Sequence, residues 1–184
     1  MIRNENENKI TALVMTGLMM CLVMVATMFI KIPIPFTQGY VHLGDSMIFL
    51  SVLILGKKNG AVAAGVGSAL GDIIGGYAFW APWTLLIKLV MAYILGAFVE
   101  HMEKSGKHHP THGVSAVEIM GMILAGIEMA AGYYITEAVM YGNYLVPLAS
   151  VPWNIGQFVV GMVIACILAA ALCKTPAKKY FAFK

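Results

Sequence analysis

Charged residues are scarce in this sequence. They make up 11% of the 184 residues, whereas hydrophobic residues make up 60%. An average soluble domain carries about 25% charged residues, so this composition excludes an ordinary soluble fold. It predicts an all-α membrane protein that crosses the bilayer several times. We expect one transmembrane domain over residues 1–184.

Features of metal sites, disulfides and nucleotide motors are also missing. The three cysteines all fall in apolar runs, which favours neither a disulfide framework nor a thiolate cluster: Cys21, Cys166 and Cys173. Three histidines lie close together, but a solvated loop is favoured over a metal site: His108, His109 and His112. The motif G-x-x-x-x-G-K-[ST] does not occur, so no ATP-driven motor is expected. Neither a catalytic pair, a cofactor nor a nucleic-acid partner is indicated.

Apolar segments predict six transmembrane helices. A helix needs about 20 residues to cross the hydrocarbon core, and the candidates are 10–30, 42–55, 60–77, 83–99, 116–137 and 153–173. The second is short, and the preceding stretch contains Pro33 and Pro35, which oppose helix there. Non-helical backbone near the membrane survives only over protein or a cavity. Residues 31–45 are therefore predicted to fold over a cavity; a solvated loop is the alternative.

Lysine and arginine indicate the orientation of these helices. Ten of the twelve Lys and Arg residues flank the same side of the six-helix arrangement. Lys31 flanks the other side, and Lys88 lies within a span. The positive-inside rule then predicts a multi-pass protein of the cell membrane with both termini in the cytoplasm.

Polar side chains within the spans gather in their outer halves. A charge inside a membrane is costly, so each is a candidate site residue. His42, Asp45 and Ser46 have the spacing of one helical face at the start of the second span. The inner halves are apolar, which predicts a pocket open to the outside and closed below. The candidate substrate-binding residues are Gln38, Tyr40, His42, Asp45, Trp80, Thr84, Lys88, Glu128, Tyr134, Trp153, Asn154 and Gln157.

Several polar or small residues have a structural alternative. Asp72 is either a site residue or an internal brace with Lys88 as its candidate partner, because buried charges require partners. Glu137 either joins the pocket or lies in interfacial water. A row of small residues in the third span is interpreted as a surface for helix packing: Ala63, Gly67, Gly71 and Gly75.

The first span carries a second row of small residues, Ala12, Thr16 and Gly17, among bulky Leu, Met and Val side chains. Such a row permits the close approach of another helix. That helix belongs either to this chain or to another membrane subunit, and the sequence leaves both possibilities open.

Short motifs along nearly the whole chain resemble one known family. They are YVHLGD at 40–45, GKKNG at 56–60, GYYITE at 132–137 and VPWNIGQ at 151–157, together with Gly71-Asp72. The chain resembles the substrate-binding S components of energy-coupling factor (ECF) transporters.

The resemblance implies a six-helix S-component bundle that captures a vitamin or vitamin precursor outside the cell. It also implies a transmembrane coupling subunit of the EcfT type and two cytoplasmic ATPase subunits as partners. In the family the loop between helices 1 and 2 lids the site, a role that maps here onto residues 37–45. Small residues of helix 1 contact the coupling subunit, which points to Ala12, Thr16 and Gly17. Many relatives have alanine where this chain has Thr16.

Within this family, the sequence most resembles the subgroup that transports hydroxymethylpyrimidine, a thiamine precursor. The subgroup for pyridoxine-like compounds is the next most similar. Aromatic, amide and carboxylate side chains suit a flat heterocycle with amino and hydroxyl groups. Lys88 keeps an anionic vitamin such as pantothenate possible. A different class also remains: a stand-alone proton-coupled carrier would use Asp45, Asp72 or Glu128 as a relay.

Overall fold

The computed structural model describes residues 5–104 and 113–181. Five long helices dominate it: α1 (Glu5–Phe29), α2 (Gly44–Ile74), α3 (Ala81–Lys104), α4 (Ala116–Tyr141) and α5 (Val151–Cys173). Short 3-10 helices lie at Val146–Ala149 and Pro176–Tyr180. Residues outside the described ranges include the loop histidines and some of the cations used to predict orientation: His108, His109, His112, Arg3, Lys107 and Lys184.

The protein is an all-helical membrane protein. Within the described residues, five helices are long and apolar enough to cross a bilayer. The sequence predicts six, because it treats residues 42–55 and 60–77 as separate helices. Both belong to α2, which contains one non-helical residue, Gly56, with φ 73° and ψ −174°. Glycine adopts such a positive φ without the steric cost that a Cβ would bring.

The chain reverses direction within α2. A Cβ placed on Gly60 would lie 2.7 Å from the Cα of Val52. Residues eight apart in a straight helix are separated by about 12 Å, so the segments before and after Gly56 must fold against each other. Two helical segments thus leave and return to the same end of the bundle.

The small residues of α2 pack against another helix, as the sequence predicts, and that helix is α1. A Cβ on Gly67 would lie 2.6 Å from the carbonyl oxygen of Met20, and one on Gly71 would lie 3.0 Å from Thr27 Cγ2. The bulkier α1 side chains Val23 and Thr27 are fully buried on this face. Glycine therefore lets the two backbones approach closely, which is how small residues act in membrane helices.

Residues between α1 and α2 form a β-hairpin. Strand β1 (Lys31–Pro33) pairs antiparallel with β2 (Tyr40–His42), and Pro33 lies opposite Tyr40. We call residues 31–42 the hairpin. Because α2 begins only at Gly44, the predicted helical face shared by His42, Asp45 and Ser46 is wrong for His42, which is a strand residue. Pro33 and Pro35 explain why the helix does not start earlier.

An apolar core fills the bundle beyond the hairpin end. Large, fully buried side chains from α2, α3 and α4 make up much of it: Ile48, Phe49, Leu53, Met91, Leu95, Met122 and Met129. Close-packed apolar side chains leave little room for polar groups or water. The buried ionisable side chains Asp45, Asp72, Lys88 and Glu137 lie toward the end that the hairpin covers, whereas Glu118 is buried at the other end of α4.

Candidate functional site

A polar cavity lies beneath the hairpin at one end of the bundle. The last turn of α2, the first turns of α3 and α5, and the last turns of α4 all converge there. Its walls are Ile34, Gly39, Tyr40, His42, Asp72, Trp80, Thr84, Tyr133, Glu137, Asn154 and Gln157. The space free for water is about 20 Å³, room for about one water molecule. A larger ligand needs the wall to move outward.

A buried ion pair lies under the cavity. Lys88 Nζ is 2.5 Å from Asp45 Oδ1, and both side chains are 0% exposed. Gln157 Nε2 donates to the second carboxylate oxygen of Asp45 at 2.9 Å. A buried charge is stable only when it is paired and hydrogen-bonded, and each ion here provides what the other needs. Of the two alternatives for Asp72, the one that pairs it with Lys88 is therefore wrong.

Asp72 instead binds Tyr40. The Tyr40 hydroxyl donates to Asp72 Oδ1. Burial and the nearby Asp72 carboxylate raise the pKa of Tyr40 above its ordinary value, so this hydroxyl remains a donor. The other oxygen, Asp72 Oδ2, is buried and has no hydrogen bond from the residues that the structure describes. The same holds for Glu137 Oε2. Both residues line the cavity, so a ligand that moves the wall outward would reach these two carboxyl groups.

Aromatic rings form much of the cavity wall. Trp80 meets Tyr133 edge to face with centroids 6.1 Å apart, and Tyr40 lies 5.5 Å from the His42 ring. The Tyr133 hydroxyl donates to Thr84 Oγ1 at 3.2 Å. Rings held in place in this way suit a flat aromatic ligand, which can stack on or abut them.

The hairpin is fastened to the helices on two sides. At its tip, Trp80 Nε1 donates to the carbonyl of Gln38 at 3.2 Å, and the Gln38 N–H donates to the Tyr141 hydroxyl at 2.9 Å. At its base, Lys31 Nζ donates to the Gly75 carbonyl at 3.2 Å. Lys31 also lies 4.7 Å from the ring centroids of Tyr40 and Tyr77, within the range of cation–π attraction. These contacts hold the hairpin over the cavity.

His42 is the hairpin residue closest to the ion pair in the hydrogen-bond network. Its backbone N–H donates to Gln157 Oε1 at 2.8 Å, and its Nδ1 accepts from the Gly44 N–H at 3.0 Å. Burial, assisted by the positive charge of Lys88, lowers the pKa of His42 to about 3. The imidazole is therefore neutral at physiological pH.

The structure places the twelve candidate residues in four settings. Six line the cavity: Tyr40, His42, Trp80, Thr84, Asn154 and Gln157. Asp45 and Lys88 lie beneath them, and Gln38 contributes its backbone while its side chain is exposed. The last three lie elsewhere and do not line the cavity: Glu128, Tyr134 and Trp153. Tyr134 borders a separate apolar groove. Trp153 borders a mainly apolar groove that shares His42 and Gln157 with the cavity wall.

Some residues of the cavity wall are not among those that the sequence predicts. Ile34, Gly39 and Tyr133 line it but were not among the candidates. Tyr133 and Glu137 are four residues apart in α4 and so share a face. That spacing was the available signal, whereas Tyr134 lies on a neighbouring face. For Ile34 and Gly39 the sequence offers no comparable signal, since their position depends on the hairpin turn.

The small row of α1 divides between two faces. Thr16 is 9% exposed, and its hydroxyl donates to the Ala12 carbonyl at 2.7 Å. Gly17 is exposed, and a Cβ added there would meet no atom within 4 Å. Around Gly17 the surface consists of large exposed side chains: Leu13, Val14, Leu18 and Leu22.

Apolar helices long enough to span a bilayer, with a polar cavity at one end of the bundle, define the class as a helical membrane protein. The sequence matches the ECF-type riboflavin transporter S component family over residues 7–174. The chain belongs to this family of transport proteins. It is accordingly a transporter subunit and not an enzyme.

Two relatives extend this comparison. The "Thiamine precursor transporter HmpT" of Lactococcus lactis subsp. cremoris is 25% identical over 173 residues, which cover 94% of this chain and 92% of the relative. An "Uncharacterized protein in gap 3'region" of Pyrococcus woesei is 41% identical over 120 residues, 65% of this chain and 74% of the relative.

Proposed function

We propose that the protein is the substrate-binding subunit of an ATP-driven ECF importer and that its substrate is hydroxymethylpyrimidine. The observation that carries this proposal is the small aromatic cavity with two hydrogen-bond-accepting carboxylates, Asp72 and Glu137. The substrate is a single flat ring with an amino and a hydroxyl group, both of which are donors. The similarity to the thiamine precursor transporter of L. lactis supports the same choice.

Size and charge separate this substrate from other vitamins. The cavity is small, so a one-ring ligand requires less outward movement of the walls than the three fused rings of riboflavin. Asp45 neutralises the charge of Lys88. The described residues that line the cavity include neither lysine nor arginine. An anion such as pantothenate would enter without a free positive partner, which is costly. Pyridoxine, a neutral ring of similar size, is the alternative to test.

We further propose a six-helix S-component topology with the hairpin as its outer lid and both termini in the cytoplasm. The reversal at Gly56 supports it, since dividing α2 there yields six helical segments. The two sets of contacts at the hairpin's tip and base support the lid. Cysteine at Gln38 should then react with an impermeant reagent from outside, and cysteine at Lys58 only after permeabilisation; the opposite pattern contradicts the orientation.

Transport is proposed to need a transmembrane coupling subunit and two ATPase subunits, because the sequence contains no phosphate-binding motif. The exposed apolar face of α1 around Gly17 is the proposed docking surface for the coupling subunit. Ala12 lies one turn from Thr16 on the same helix. Thr16 faces the bundle, so a bulky residue there would disturb the fold as well as docking.

Gly17→Trp tests this arrangement. It adds bulk to the docking face without a clash inside the subunit. We expect the isolated variant to bind hydroxymethylpyrimidine normally, but to fail in assembly and in ATP-dependent uptake by proteoliposomes containing the partners. Ile155→Trp, on an exposed face of α5, is the matched control and should transport normally. Uptake by the subunit alone, or normal uptake by Gly17→Trp, would contradict the proposal.

A further inference from the structure

We infer that His42 determines substrate specificity by presenting a fixed Nε2–H donor to an acceptor atom of the ligand. This inference rests on the proposed function. It specifies which edge of the ligand the protein recognises. A neutral imidazole has one donor and one acceptor nitrogen, and the partner of one nitrogen decides the role of the other.

The tautomer of His42 follows from its local backbone. The Gly44 N–H donates to His42 Nδ1 at 3.0 Å, so Nδ1 carries a lone pair and no proton. The neutral ring then has its proton on Nε2. Among the described residues, His42 makes hydrogen bonds through its backbone N–H and Nδ1, and none is formed by Nε2. The residue borders the cavity and the neighbouring apolar groove. Its donor is available to a ligand.

The position of the ring is fixed from behind. A Cβ on Gly44 would lie 2.7 Å from His42 Nδ1, so only glycine lets the ring lie so close to the backbone. The His42 N–H is held by Gln157 Oε1, while the amide nitrogen of Gln157 is held by Asp45. Lys88 fixes Asp45 in turn. This chain of contacts orients a donor before the ligand arrives, which lowers the entropic cost of binding.

The cavity therefore offers a mixed pattern of partners. His42 donates, whereas the free oxygens of Asp72 and Glu137 accept. A ligand edge that carries an amino group beside a ring nitrogen satisfies both kinds of partner. Hydroxymethylpyrimidine has such an edge. A site built for hydrogen bonds rejects an analogue that leaves its polar groups unpaired.

Two substitutions distinguish the loss of the Nε2–H donor from a general loss of folding. His42→Asn places an amide oxygen near the position of Nδ1, where it still accepts from Gly44, but it does not reach the position of Nε2. His42→Gln places an amide nitrogen near Nε2. We expect His42→Asn to lose about ten- to a hundredfold in affinity for hydroxymethylpyrimidine, and His42→Gln to bind more tightly than His42→Asn. Wild-type affinity in a folded His42→Asn would overturn the inference.

Two measurements on the wild-type protein complete the test. An aminopyridine analogue with C–H in place of the ring nitrogen beside the amino group should bind about tenfold or more weakly than the pyrimidine. Nitrogen NMR of ¹⁵N-histidine-labelled protein, with His42 assigned from the variants, should show a proton on Nε2. A proton on Nδ1, or equal affinity for both ligands, would overturn the role of His42. Absence of pyrimidine binding to the wild type would contradict the proposed substrate, and the NMR result would still decide the tautomer.

Discussion

Substitution of Lys88 by methionine tests the buried ion pair most sharply. Methionine keeps an unbranched side chain of similar length but leaves the charge of Asp45 buried with only Gln157 to bind it. Removal of one partner from a buried pair costs about 3–5 kcal/mol. For a domain of 150–250 residues, 1 kcal/mol corresponds to about 2–4 °C in Tm. Lys88→Met should thus lower Tm by roughly 10 °C.

The double variant Asp45→Asn/Lys88→Met is the control for this experiment. Both charges are absent from it, and asparagine still offers an oxygen to Gln157 Nε2. We expect it to recover most of the loss, because a buried pair can be replaced at little net cost when both charges go together. Thermal unfolding in one detergent, followed by tryptophan fluorescence, provides the comparison. If Lys88→Met were as stable as the wild type, or if the double variant were no more stable than Lys88→Met, the ion pair would not have the proposed role.

Three further predictions concern the hairpin. Lys31→Met removes the hydrogen bond to Gly75 and the contacts with two tyrosine rings, so bound ligand should dissociate about tenfold faster in stopped-flow measurements. Phe36 is 89% exposed and has φ 67°; Phe36→Asn should raise the free energy of unfolding by about 1 kcal/mol in denaturant titrations, since asparagine tolerates this conformation better. The pKa of His42 falls from 6.5 to about 3 on folding. Above pH 6.5 the ring is neutral in both the folded and the unfolded state, so it does not change the free energy of unfolding. Below that pH stability should fall by up to about 1.4 kcal/mol per pH unit until about pH 3, and His42→Gln should lack this part of the acid profile.

The sequence predicted the type of protein and much of its cavity for a simple physical reason. A polar side chain in an apolar span stands out, and helical spacing tells which of its neighbours share a face. Asn154 and Gln157, three residues apart at the start of α5, were found in this way and line the cavity. The glycine row of α2 was found by the same reasoning and packs against α1.

Contacts between distant segments could not be predicted by spacing. Both Asp45 and Asp72 were available to Lys88, and only the three-dimensional arrangement shows that Asp45 is the partner. The strand at Tyr40–His42 was missed because its pairing depends on the turn that begins after Pro33. Similarly, two predicted helices form one element that is interrupted at Gly56. The interruption depends on the dihedral angles of that single residue, which the sequence pattern does not specify.

Equilibrium binding to the purified subunit would identify the substrate. Titration calorimetry with hydroxymethylpyrimidine, riboflavin, pyridoxine and pantothenate would compare the four candidate ligands under the same conditions. We predict that hydroxymethylpyrimidine binds most tightly and that Asp72→Asn and Glu137→Gln each weaken its binding by about tenfold or more. Pantothenate should not compete, because Asp45 holds the charge of Lys88. Tightest binding of riboflavin or pantothenate, or unchanged affinity in both carboxylate variants, would contradict the account.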